Sequence, residues 1–246
     1  MMRFLHQLAS PAYYFNFATR LIPWFAWGTL ILMLVGLVWG LWFAPADYQQ
    51  GDSARIMYVH VPSAWMSLFI YTVMAVTALI AFVWRIKLAE IMIVANASIG
   101  ASFTFLALIT GSIWGKPMWG TWWEWDARLT FELILLFQYF GVIALYGSID
   151  DKRMAARAAA ILAMVGIVTV PIIHYSVEWW SSLHQPASVT RMGGPAIHAS
   201  MLIPLFITAI AFKLFYILVL LLRSRNELLL REQQSNWVAE ELGVKD

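Results

Sequence analysis

Six long apolar runs decide what this chain can become. They fall at about residues 21–43, 60–84, 91–113, 129–148, 158–177 and 200–222, each long enough for the ~20 residues that cross a bilayer core as a helix. No water is available there to satisfy backbone N–H and C=O groups, so each run must close its own hydrogen bonds as a helix. Only 12% of the 246 residues are charged and 61% are hydrophobic, against about 25% charged in a soluble domain. The sequence predicts an all-α integral membrane protein, one domain over residues 1–246 with six transmembrane helices. The first run is too long for the apolar core of a cleavable signal, so it is expected to stay as an anchor.

The polar pieces between the runs set orientation. With the N-terminus inside, Arg3, Arg20, Arg85, Lys87, Lys152, Arg153, Arg157, Arg223, Arg225, Arg231 and Lys245 fall on inner segments. Arg55, Lys116, Arg128 and Arg191 fall on outer ones, and Lys213 lies within the last run. Cations concentrate on the cytoplasmic side, so both termini are expected there. The outer loops are then 44–59, 112–128 and 178–199, with residues 223–246 a cytoplasmic tail that is partly helical. Residues 1–20 read as a segment at the membrane surface. Pro171 marks a kink in the fifth run, and Ala97, Gly100, Ala101 and Thr104 let the third pack closely.

The outer loop at Trp114 to Thr130 (WGKPMWGTWWEWDARLT) holds five tryptophans in seventeen residues. Indole is flat and amphipathic, so Trp114, Trp119, Trp122, Trp123 and Trp125 can form an apolar shelf beside water. They can equally serve as interface anchors, and composition leaves both readings open. Lys116 and Arg128 could hold anionic groups at its edge. Asp126 is placed to cap the helix that follows, and Glu132 stands four residues after Arg128, where the two can pair.

Cysteine is absent, which leaves histidine as the strong nitrogen ligand. His60 stands where the first outer loop enters the second run, and His184 follows Trp179 and Trp180 in the third outer loop. Both share the side and depth of the tryptophan shelf. Two imidazoles on opposite sides of a plane suit the axial positions of haem iron, the shelf would cover the macrocycle, and Lys116 or Arg128 could pair with its propionates. His174 reads as a histidine hydrogen-bonded inside the bundle, and His6 and His198 as bystanders. Lys213 is expected to snorkel towards the inner surface. Without a second intramembrane histidine, an electron-transfer cytochrome is disfavoured. No phosphate loop, nucleophile–base set or zinc spacing is present, and a net charge of +2 with no basic tract gives nucleic acid no purchase.

WGTWWEWDARLT, between His60 and His184 in a six-span chain, resembles the signature of the WWD haem-handling superfamily of cytochrome c biogenesis. Within it, APADYQQG, WGKPMWG and IIHYSVEWW resemble the heme exporter protein C family of bacterial cytochrome c maturation, over essentially the whole chain. The resemblance implies a haem chaperone of the bacterial inner membrane and not an enzyme. A b-type haem, held without covalent attachment and with its iron oxidised, would sit at the periplasmic face on the WWD loop. His60 and His184 would be its axial ligands, and Trp114, Trp119, Trp122, Trp123, Trp125 and Asp126 its platform. The implied partners are a periplasmic haem chaperone (protein E of cytochrome c maturation), an ATP-binding-cassette ATPase with its membrane subunit, and the small single-span protein D. The alternative is a permease subunit that moves haem or another small molecule with such an ATPase, which would require polar or broken helices along a route at mid-membrane.

Overall fold

The computed structural model describes residues 10–243 apart from 187, 190 and 192; His6, Arg3 and Lys245 lie outside the described residues. Its helices are α1 (Pro11–Val38, continued by a wide turn at Trp39–Phe43), α2 (Met57–Trp84, entered through a tight turn at Asp52–Ile56), α3 (Lys87–Trp119), α4 (Ala127–Ser148), α5 (Lys152–Gly166), α6 (Thr169–Trp179), α7 (Ala199–Arg231) and α8 (Asn236–Leu242). No strand occurs among the described residues. Six segments are long and apolar enough to cross a membrane, with α5 and α6 together making one of them.

Several boundaries move from where the apolar runs place them. Residues 11–20 are not a separate surface segment but the first turns of α1, since Pro11 sits where a helix accepts proline. The helix expected to end near 113 continues to Trp119. At 1.5 Å per residue its 33 residues span about 50 Å, well beyond a hydrocarbon core of about 30 Å, so apolarity alone could not mark its end. Gly120, at φ 77°, stops it in the left-handed conformation that glycine adopts freely. Pro171 produces a break rather than a kink. Its ring would meet the carbonyl of the residue four positions back, which is Ile167, and there α5 gives way to α6. Beyond the last span, α7 runs on to Arg231 and α8 folds back, its Trp237 ring lying 5.7 Å from that of Phe15.

The bundle is apolar on its outer surface as well as in its core. Trp24, Trp27, Leu30, Ile31 and Leu34 of α1 are exposed, while Ser67, Asn96, Thr104, Glu132 and Thr208 are buried. Thr104 and Thr208 bond carbonyls of their own helices, and other polar groups find partners between helices, as lipid demands: the Tyr216 hydroxyl donates to Asn96 (2.8 Å), that of Tyr139 to the Ser67 carbonyl (2.7 Å), and Gln138 to Thr169 (2.8 Å). α2 packs along α3, and α1 along α7. The small residues of α3 serve this packing. A Cβ on Gly100 would stand 2.1 Å from the Tyr139 ring. Lys213 lies over the Phe69 ring at 3.9 Å, a cation–π contact on the outer face. At the end where α1 begins, Arg231 reaches Glu90 (2.8 Å) and the Tyr146 hydroxyl (2.7 Å), and Lys87 pairs with Glu232. The opposite end holds the histidines.

Candidate functional site

His60 sits in the first turn of α2 and faces α3. Its Nδ1 lies 3.0 Å from the Ala107 carbonyl and 3.1 Å from Thr110 Oγ1. A carbonyl only accepts, so Nδ1 carries the proton and donates to it. The neutral ring then has its lone pair on Nε2, the arrangement in which a backbone acceptor orients a ligating histidine.

His184 belongs to the loop between α6 and α7, and a hydroxyl holds it in place. Asp126 caps α4 by accepting from the Leu129 N–H (2.8 Å), and its second oxygen accepts from Ser182. Ser182 Oγ in turn accepts from the His184 N–H (3.0 Å). The aspartate of the tryptophan-rich stretch therefore ties the start of α4 to the backbone of His184. His184 Nδ1 has two neighbours of opposite demand. The Gln185 carbonyl at 2.9 Å needs a proton from it; Arg128 Nη1 at 3.3 Å offers one. The first contact leaves Nε2 bare, the second leaves it protonated. Burial foremost, with Arg128 close by, lowers the His184 pKa to about 4, so the ring is neutral at pH 7.

The two rings meet. Their centroids are 6.4 Å apart with planes inclined at 36°. Two imidazoles that share one metal ion from opposite sides, each nitrogen about 2 Å from it, stand about 6 Å apart centre to centre. Trp114 packs edge-on to His60 at 5.6 Å and Trp119 lies 6.1 Å from His184. Between them opens a cavity continuous with solvent and also lined by Trp123, Arg128 and Glu132. Its walls are mostly aromatic and aliphatic, the character of a site for a flat organic ligand. Of the lining residues, Trp123 keeps its Nε1 buried and unbonded among the described residues.

Not every residue singled out by sequence lines this cavity. Trp122 and Trp125 are 56% and 73% exposed and are not among its lining residues. Lys116 bonds the Gly120 carbonyl (2.9 Å) and lies over Trp122, outside the cavity. Arg128 forms no ion pair with Glu132 or Asp126 among the described residues; Glu132 instead accepts from Ser67 (2.6 Å). His174 is exposed on the outside of the bundle against Tyr175, not hydrogen-bonded within it, because Ile173 and Ser176 take the inner face of α6. His198 caps α7 by accepting from the Ser200 N–H (3.3 Å). Sequence reasoning missed Ser182, Gln185, and Gln50, which accepts from Trp114 Nε1 (3.0 Å). Short polar loop residues carry no periodic signal that would single them out.

The family model for heme exporter protein C matches residues 4–239. The chain belongs to the heme exporter protein C family. It is 52% identical over 238 residues to heme exporter protein C of Haemophilus influenzae, covering 97% of each chain. It is 53% identical over 240 residues to that of Escherichia coli, covering 98% of this chain and 97% of the relative. Towards heme exporter protein C of Paracoccus denitrificans the identity is 39% over 223 residues, covering 90% and 92%. As in the bundle described above, membership in the heme exporter protein C family extends over all six candidate spans.

Proposed function

We propose that this chain binds b-type haem non-covalently at the periplasmic face of the bacterial inner membrane and delivers it to a periplasmic haem chaperone during cytochrome c maturation. The observation that carries the reading is the approach of His60 and His184, 6.4 Å apart, across a cavity walled by tryptophan. The names of its relatives, heme exporter protein C, point the same way. The residues present fit the group. Both rings can be neutral with Nε2 bare, Trp114, Trp119 and Trp123 offer apolar walls, and Arg128 and the unbonded Trp123 N–H are donors suited to carboxylates. His60 and His184 would hold the haem through its iron, which would supply a centre that accepts nitrogen ligands. The chain's own part is to hold, orient and release it, and we assign it no catalysis.

The eleven-to-four excess of cations that the sequence gives to the inner segments supports a periplasmic position for the histidine end. Both termini are then cytoplasmic, and the outer loops are 44–59, 112–128 and 178–199. The partners in this reading are the E chaperone, the ATP-binding-cassette ATPase with its membrane subunit, and protein D. Asp126 acts as the organiser of the His184 loop, with Lys116, Trp122 and Trp125 outside the cavity and available to an acceptor. Haem transfer from the loaded, purified protein to apo-acceptor in solution tests this function. Transfer without any flux of haem into sealed vesicles is the expected result. Vesicle flux by the chain alone would instead make it a permease.

A further inference from the structure

At the end of the bundle opposite the histidines, a second cavity opens where α2, α3 and α5 meet. Three arginines line it: Arg85 between α2 and α3, and Arg153 and Arg157 one turn apart on the same face of α5. None of the three is in an ion pair among the described residues. The one carboxylate in the lining, Glu90, is already held by Arg231 at 2.8 Å. Nearby Asp151 is engaged in capping α5 through the Arg153 and Met154 N–H groups. The cavity thus carries three cations outside any ion pair among the described residues, with the Asp151 carboxylate acting on Arg153 only at longer range.

Two further features set it apart from cations scattered for topology. Arg85 is the one non-glycine residue with positive φ among the described residues, at 54°. This is a helix-ending conformation that glycine adopts more cheaply, yet here it presents a guanidinium to the cavity. The remaining lining is apolar, and part of it is exposed on the outside of the bundle. Phe82, stacked beneath Arg157 at 5.0 Å, and Met154 are 38% and 61% exposed. Next to them, Val83 and Trp84 are 55% and 65% exposed. Guanidinium groups match phosphate oxygens in fork geometry, and basic pockets between membrane helices take phospholipid headgroups.

We propose that Arg85, Arg153 and Arg157 form a binding site for the phosphate headgroup of an anionic phospholipid, whose acyl chains lie against Phe82 and Met154. This site is independent of the haem reading.

Native mass spectrometry of the delipidated, detergent-purified chain, titrated with dioleoylphosphatidylglycerol or dioleoylphosphatidylcholine, tests it. The wild-type chain is expected to retain one phosphatidylglycerol in preference to phosphatidylcholine. The R85Q/R153Q/R157Q variant should bind it on the order of 100-fold more weakly, from about five-fold per cation at an anionic surface. R20Q/K152Q/R223Q, which removes the same charge outside the cavity, should bind as wild type. Circular dichroism establishes that both variants are folded. Equal loss in both triple variants, or equal binding of the two lipids, would overturn the proposal. So would displacement of the lipid by millimolar inorganic phosphate, which would assign the cavity to a soluble anion.

Discussion

Replacing Ser182 with alanine tests how the His184 loop is positioned. The hydroxyl donates to the Asp126 carboxylate and accepts from the His184 N–H at 3.0 Å. A neutral hydrogen bond contributes about 1 kcal/mol net and one to a charged partner about 2. Together about 3 kcal/mol of loop order is removed, which binding must then supply. At 1.4 kcal/mol per decade the haem dissociation constant rises by up to about 100-fold. Titration of haem into the purified protein, followed through the Soret band, measures it. Ser182→Thr, which keeps the hydroxyl, should recover most of the affinity. A purely structural loss would instead lower the melting temperature of the haem-free protein in parallel. Unchanged affinity and spectrum in Ser182→Ala would refute the reasoning.

Three other perturbations follow. The folded chain holds the His184 pKa at about 4, whereas an unfolded histidine titrates near 6.5. Between these values the unfolded chain binds more protons, so stability declines as pH falls from about 6.5 to about 4 and levels off below. Ligand competence of the folded chain persists to about pH 4, and loss of the haem spectrum with a midpoint near 6.5 would show a solvated ring instead. Trp123→Phe keeps the ring and removes the unbonded N–H; losing one hydrogen bond to a charged carboxylate, about 2 kcal/mol, should weaken binding of haem about 30-fold, while leaving haem dimethyl ester unaffected. Gly100→Ala forces a Cβ to within 2.1 Å of the buried Tyr139 ring and should destabilise the bundle by about 1–3 kcal/mol, as overpacking does, read as a lower midpoint in detergent thermal melts.

The spans were legible because length and apolarity are what a bilayer selects, and the break near Ile167 follows from Pro171 by the reach of one helical turn. The end of α3 was not legible. Residues 114–119 look like a polar-aromatic loop, yet they continue a helix already committed by its apolar turns, and this carries Lys116 away from the cavity. The approach of His60 to His184 rested on a shared depth in the sequence; their distance depends on how α2, α3 and the third loop pack. His174 shows the reverse limit. Its depth suggested an inner position, but the helical face it occupies is the outer one. Ser182 and Gln50 act through single hydrogen bonds over long separations, which no local pattern encodes.

The central claim concerns the two histidines, and ferric electron paramagnetic resonance of the haem-loaded protein tests it most directly. The account predicts a low-spin, bis-histidine signal in the wild-type chain and its loss on replacing either His60 or His184 with alanine, with no haem retained in the double variant. A low-spin signal that persists in the double variant would contradict it.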